Sequence, residues 1–461
     1  MIGAVVVVLL LVRAVSALSD GGESRSDSGA TPDDTARPND VGATWVVQDA
    51  DLRPELDEPD FVGELDGSFD GNYLVDAGPA WLAMTGDEAG GDIALHGLDP
   101  ESGEEVWRRE LDGGLCAPDP LPDGLVFCAS ALQRDRATDL GTRWRLHLLD
   151  PATGQDARTA DVEAWASAVH VAGETLMVLE EREPSPHAVV SGFTAQLEPR
   201  WSLDLAGREH HDDLFSDDRI IGRPGPGVER DGPIMDRTRF RDVGPRGRTV
   251  AIWAGMATAF VDPASGELLG LPWCSRLVDD GERLWCNEPD GAVAYSYSLD
   301  ELHRVERIRL LFPGTDGGAA TDVTRPVFAD EDGRVFSVDR GTGHVNGPFA
   351  DLGTGSAFGQ TIEPSVSTSK GHTFISGENG LALLTPGSDE LAWFNREVDN
   401  VDAPIVREDD LLAGTFEFRL LSLSDGRERH VLRQPYGIYT VPVGEEIAGV
   451  GLDELALLDI P

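Results

Sequence analysis

The chain has 461 residues, too many for one ordinary compact domain but suited to a single repeat array or ring. Its 83 acidic residues against 37 basic ones give a formal net charge of -46, which repels phosphate backbones and excludes nucleic acid as an expected partner. With 40% apolar and 26% charged residues the bulk of the chain should fold, and disorder should be local. Lys370 is the only lysine, a bias that fits coding or salt adaptation better than a binding site. The acidic surface reads as a solvated face that could hold divalent cations loosely.

Residues 2–12 are wholly apolar, and Ala14 to Leu18 extend the run to about 17 residues, the lower edge of a membrane span. No basic residue precedes it and Arg13 follows its main part, which points to a true start further upstream. Val15-Ser16-Ala17 could serve as a cleavage site, leaving secretion as the alternative to anchoring. No cysteine follows the run, so a lipoprotein anchor is excluded for this start. Residues 1–18 are therefore expected to be a signal or anchor segment, 19–42 a disordered Ser/Asp/Gly/Pro-rich tether, and 43–461 the folded part.

Cys116 and Cys128 have the same spacing as Cys274 and Cys286, and a turn signal lies midway in each pair: Pro122-Asp123-Gly124 and Asp279-Asp280-Gly281. Residues equidistant from a tight turn face each other across two strands, within disulfide range. Two hairpin disulfides are expected, which implies an oxidising, extracytoplasmic setting. Buried free thiols are the bland alternative, and a zinc site lacks any Cys-x-x-Cys spacing.

Leu98-Asp99-Pro100-Glu101-Ser102-Gly103 recurs at Leu149 to Gly154, at Val261 to Gly266 and, more loosely, at Val338 to Gly343. Asp caps its own turn, Pro fixes φ and Gly takes positive φ, so each copy is a hairpin turn between strands. Three copies precede an aromatic segment: Val106-Trp107, Leu271-Pro272-Trp273 and Pro348-Phe349. Degenerate copies lie near Leu197, Leu299, Leu384, Leu423 and Leu457, the one near Leu197 being the weakest. The anchors, spaced roughly 38 to 65 residues apart, suit four-stranded blades. Nine anchors can be counted, yet because the Leu197 copy is weak and nine-bladed rings are rare, the expectation is about eight blades, with seven and nine left open. Helical periodicity is almost absent, so the fold class is all-β: a single β-propeller closed by its N- and C-terminal strands, Thr44 to Asp51 completing the blade formed by residues 440 to 460.

The Leu-Asp-Pro-x-Ser/Thr-Gly-x-x-x-Trp pattern, clearest at Leu98 to Trp107, resembles the repeat of pyrroloquinoline-quinone-like (PQQ-like) β-propellers. That superfamily includes quinoprotein dehydrogenases and non-enzymatic relatives such as a bacterial outer-membrane assembly lipoprotein. The resemblance spans roughly residues 44 to 461 and specifies fold more than function. In the dehydrogenases it would imply a quinone stacked between a tryptophan and two adjacent bonded cysteines, with calcium beside it. This chain has no adjacent cysteines, which points to the non-enzymatic branch.

Trp107, Trp201, Trp273 and Trp393 are expected at or near one repeat position, closing blades rather than stacking a cofactor. The longest departure from the repeat, residues 207–248, contains His210-His211-Asp212-Asp213, whose consecutive side chains diverge and read as a solvated loop. No Gly-x-Ser-x-Gly, phosphate loop or His-Glu-x-x-His occurs. The expectation is a non-catalytic, membrane-tethered extracytoplasmic binding or scaffold module, with no catalytic, cofactor or metal residues. Its partner would be an extracytoplasmic protein or envelope component, and the chain itself a monomer. The alternative is a propeller enzyme, either a quinone-dependent oxidoreductase or a glycan-active hydrolase or lyase.

Overall fold

The computed structural model describes residues 42–460 except 57–58, 62–73, 88–91, 135–140, 164, 183–186, 209, 211–238, 245–246, 254–256, 275–276, 289, 312–325, 340–341, 358–359, 363, 387–389, 399–403, 414–416, 434–438, 444–445 and 452. The anchor and nearly all of the tether, together with His211, Asp212 and Asp213, therefore lie outside the described residues. Within them the chain is all-β. The one helix among the described residues is the single turn Asp49–Leu52.

The strands build nine antiparallel sheets among the described residues, one more than the eight expected, and a separate short hairpin pairs Gly355–Ala357 with Gln360–Ile362. Blade 1 comprises Leu74–Asp76, Trp81–Asp87, Ala94–Leu98 and Glu105–Glu110, with Pro59–Phe61 as a fifth strand on Trp81–Asp87. Blade 2 is Leu115–Cys116, Val126–Arg134, Gly141–Leu149 and Asp156–Val162. Blade 3 is Trp165–Ala172, Thr175–Arg182, His187–Phe193 and Pro199–Asp204, and blade 4 is Arg239–Val243, Thr249–Trp253, Thr258–Val261 and Leu268–Gly270. Blade 5 is Leu277–Asp279, Leu284–Glu288, Gly291–Tyr295 and Glu301–Glu306, and blade 6 is Arg309–Leu310, Phe328–Ala329, Arg334–Val338 and Val345–Asp351. Blade 7 is Ser365–Ser369, His372–Gly377, Gly380–Leu384 and Leu391–Asn395, and blade 8 is Ile405–Arg407, Asp410–Ala413, Glu417–Ser422 and Glu428–Arg433.

Blade 9 is composite. Tyr439–Val443, Glu446–Val450 and Glu454–Asp459 supply three strands, and the fourth is Gly42–Gln48, which runs antiparallel to the last strand from Gly42↔Asp459 to Gln48↔Glu454. First strands of neighbouring blades approach one another and mark the centre, whereas fourth strands such as Glu105–Glu110 are largely exposed at the rim. Apolar clusters fill each seam between consecutive blades, including blade 9 against blade 1 through Trp45, Val47, Trp81 and Leu455. The ring is therefore closed.

The ninth blade, within the range left open, is the one whose turn near Leu197 is weak in sequence, because that turn uses different chemistry for the same bend. In the regular copies Gly103 and Gly154 have positive φ (72° and 66°), and their N–H groups donate to Asp99 O and Asp150 O (2.8 Å each). The turn of blade 3 has no Gly. There Leu197 itself takes the left-handed conformation (φ 61°), and Thr194 Oγ1 replaces the Asp carboxylate in accepting Gln196 N–H (3.1 Å) and Glu198 N–H (3.3 Å). Blade 5 repeats that solution with Leu299 (φ 61°) and Ser296 Oγ. A leucine at positive φ costs conformational energy, and burial of Leu197 to 3% exposure offsets it.

Candidate functional site

Both expected disulfides form: Cys116–Cys128 with Cα atoms 4.0 Å apart and Cys274–Cys286 with Cα atoms 5.0 Å apart. Only the first is a directly facing pair in the strand ladder. In the second hairpin Cys286 faces Leu277, because the turn Asp280–Arg283 is centred beyond Gly281; Cys274 precedes the strand and ties the segment before it to the sheet. All four cysteines are buried, the first pair in the seam between blades 1 and 2 and the second between blades 4 and 5.

The repeat tryptophans also serve the seams. Trp107 lies between two glycines: a Cβ on Gly97, its cross-strand neighbour, would come within 2.2 Å of the ring, and one on Gly154 of blade 2 within 2.4 Å. Its Nε1–H donates to Pro151 O of blade 2 at 2.7 Å. Trp201 makes the same contacts with Gly192, Gly266 and Pro263 O (2.9 Å), while Trp45 and Trp393 donate to Pro100 O (3.1 Å) and Leu423 O (2.9 Å). Each indole therefore hangs from the rim strand of one blade onto the Asp-x-x-x-Gly-type turn of the next. Trp273 does not share this position. The fourth strand of blade 4 ends at Gly270, and Trp273 bridges to Ala257 with its Nε1 buried and unpartnered. His210, the described residue of the His-His-Asp-Asp run, meets the Trp273 ring edge-on at 5.7 Å between centroids.

Sequence reasoning missed two hydroxyl–imidazole–carboxylate relays. In blade 2, Ser130 Oγ lies 2.8 Å from His147 Nε2, and Asp156 Oδ1 lies 2.9 Å from His147 Nδ1. In blade 1, Thr85, His96 and Glu105 repeat the arrangement at 2.7 and 2.8 Å. With Nδ1–H donating to the carboxylate, Nε2 accepts the hydroxyl proton, which is the connectivity of an acyl-transfer triad. Burial pushes both imidazoles below the ordinary histidine value, against the pull of Glu105 and Asp156, and so favours the neutral ring. The setting nevertheless favours a structural tie. Thr85 and His96 are fully buried, His147 is 3% exposed, and the three members come from the second, third and fourth strands of one sheet. Arg109 of blade 1 closes the outer end, donating to Asp156 Oδ2 (2.6 Å) and Gly154 O (3.0 Å) across the seam. The readable signal was a histidine two residues before Leu98 and Leu149, with an acid nine residues later in both blades.

Nearer the centre, His170 of blade 3 stacks on Phe240 of blade 4 (5.4 Å, 3°) and its Nε2 lies 3.0 Å from Asp242 Oδ1. Asp279 accepts Tyr297 O–H (2.6 Å) and Gly244 N–H (2.5 Å), joining blades 4 and 5. No group of three His, Cys, Asp or Glu among the described residues is arranged to hold a metal. The residues present do not fit a stacked quinone: the cysteines are paired across hairpins within two separate seams, and the repeat indoles face glycines at the rim.

Fold and contacts together define a closed, disulfide-bearing β-propeller. No family model and no curated protein matches the sequence. Similar solved structures include BamB from Moraxella catarrhalis, at 11% identity over 90% of this chain and 98% of that one, with a TM-score of 0.42. Sqt1 from Saccharomyces cerevisiae is 11% identical over 87% and 98% with a TM-score of 0.44, and a europium-containing methanol dehydrogenase is 13% identical over 82% of each chain at 0.39. Such distant likenesses show the fold alone and carry no argument about activity.

Proposed function

We propose that the chain is a non-catalytic extracytoplasmic propeller, held to a membrane by residues 1–18 through the tether 19–42, that binds or scaffolds an extracytoplasmic protein or envelope component. The observation that carries this reading is where the chain's chemically distinctive groups are placed. Both disulfides and both imidazole relays are committed to tying strands within a blade, and the latching indoles to holding neighbouring blades together, which leaves a rigid ring whose rim strands and connecting loops are the surface offered to partners. Buried disulfides support an oxidising compartment, where such bonds persist.

Crosslinking of the full-length chain in its native membrane, followed by identification of what co-purifies, should return a defined partner. Two results would overturn the reading: saturable micromolar binding of pyrroloquinoline quinone with calcium accompanied by alcohol oxidation, or covalent labelling of Ser130 by a fluorophosphonate.

A further inference from the structure

The end of the closing strand carries a buried acid without a partner for one of its oxygens. Asp49 follows Gly42–Gln48 directly and is 3% exposed. Its N–H donates to Asp453 O of blade 9 (3.0 Å), its carbonyl accepts Arg53 N–H (2.8 Å), and Oδ1 accepts Ala50 N–H (2.5 Å). Oδ2 is buried with no hydrogen-bond partner among the described residues.

Among the described residues, the charged groups that act most on its carboxyl are all aspartates. Asp51 lies on the same turn, Asp60 on the extra strand of blade 1, and Asp453 on the turn before the last strand; each disfavours ionisation of Asp49. Glu454 beside them is engaged by Gln48 Nε2 (3.1 Å). The two arginines of this corner point elsewhere. Arg53 reaches Glu55 (2.6 Å), Asp92 O (2.7 Å) and Glu110 (3.7 Å), and Arg108 reaches Leu52 O (3.0 Å) and Glu55 (3.2 Å). An ionised Asp49 would thus be a buried anion facing three carboxylates, with no cation bonded to it among the described residues, an expensive state, whereas a proton on Oδ2 removes the charge.

We propose that ring closure is a proton-held latch: protonated Asp49 lets the N-terminal strand and its turn seat against blades 9 and 1, and ionised Asp49 is repelled there, so that this strand is the first part of the ring to loosen. Burial, with the three neighbouring aspartates and against the Ala50 N–H, raises the carboxyl from 3.8 to about 7. Because the folded value lies above the unfolded one, the stabilisation is complete below the unfolded value and is lost as pH rises through about 7. The window therefore runs from 3.8 to about 7 and closes at neutral pH, above the range of ordinary carboxylates.

Hydrogen exchange of the full chain at pH 6 and pH 8, corrected for intrinsic rates, tests the latch. Protection of residues 43–52 and 454–459 should fall by at least about ten-fold at pH 8 while that of 176–179 in blade 3 is unchanged. Asp49→Asn should keep the closing strand equally protected at both pH values. Should that variant fail to fold, Asp453→Asn at an exposed turn decides, since loss of one repelling carboxylate should lower the carboxyl's value and so make the loss of protection between pH 6 and pH 8 smaller than in the wild type. Equal protection of the wild type at both pH values, or an undiminished loss of protection in Asp453→Asn, would overturn the proposal. Restoration of protection at pH 8 by millimolar calcium would also overturn it, by making the corner a cation site.

Discussion

The seam between blades 1 and 2 and the seam between blades 4 and 5 meet the same packing requirement with opposite partners. In the first, Trp107 of the earlier blade fills the space over Gly154 of the later one and binds its turn. In the second, the earlier blade contributes the small residue: a Cβ on Gly270 would come within 2.3 Å of Leu299 Cδ1, which reaches back from the turn of blade 5. Each seam therefore needs one large side chain opposite one glycine, and either blade can supply either. The repeat signature records one solution, and its absence does not mean that a blade is missing.

The largest test is Trp107→Ala, which removes a large side chain and its hydrogen bond and should cost about 3–5 kcal/mol in denaturant unfolding. Leu299→Ala should cost about 2–4 kcal/mol; if it cost nothing, the equivalence of the two seams would fail. Next, the paired change Cys274→Ser with Cys286→Ser opens a loop with a sequence separation of 12, worth about 3 kcal/mol. It should lower protection from hydrogen exchange across blades 4 and 5 more than the matching change at Cys116 and Cys128 does across blades 1 and 2, where the indole remains.

Glycine substitutions sharpen the comparison by separating strain from collision. Gly173 (φ 59°) has nothing within 4 Å of an added Cβ, so Gly173→Ala should cost only the backbone strain, about 1 kcal/mol. Gly154→Ala adds a clash with Trp107 and should cost about 2–4 kcal/mol, an excess that should disappear in the Trp107→Ala background. The smallest effect is expected between blades 2 and 3, where Arg158 replaces the indole and donates to Ala195 O at 3.3 Å. Arg158→Ala should change stability by less than about 1 kcal/mol.

The sequence made the turns legible wherever Asp, Pro and Gly each perform a separate conformational task, and the composite blade followed from an unpaired strand at either end. The weak copy near Leu197 was harder to read because a buried leucine at positive φ with a threonine cap looks nothing like Asp-Pro-x-x-Gly, although it bends the chain the same way. Equal cysteine spacing revealed which residues pair, but not the register of the second hairpin, which depends on where its turn is centred. Trp273 was misplaced because Leu271-Pro272-Trp273 resembles a rim strand, whereas the actual strand ends at Gly270. The relays escaped notice because their three members lie on different strands, and only pairing brings them together.

The composite blade also sets the order in which the molecule can be made. Gln48 and its partner Glu454 are 406 positions apart, so the first of the ring's described strands to be synthesised is the last to find its neighbour. Blades 1 to 8 can each assemble from contiguous chain as it emerges, but the ring stays open until the final strand is complete. Until then one edge of blade 1's seam and the apolar faces of Trp45 and Val47 lack their cover. Closure, a contact of very high sequence separation, should therefore be the slow step of folding and the interval of greatest exposure to aggregation.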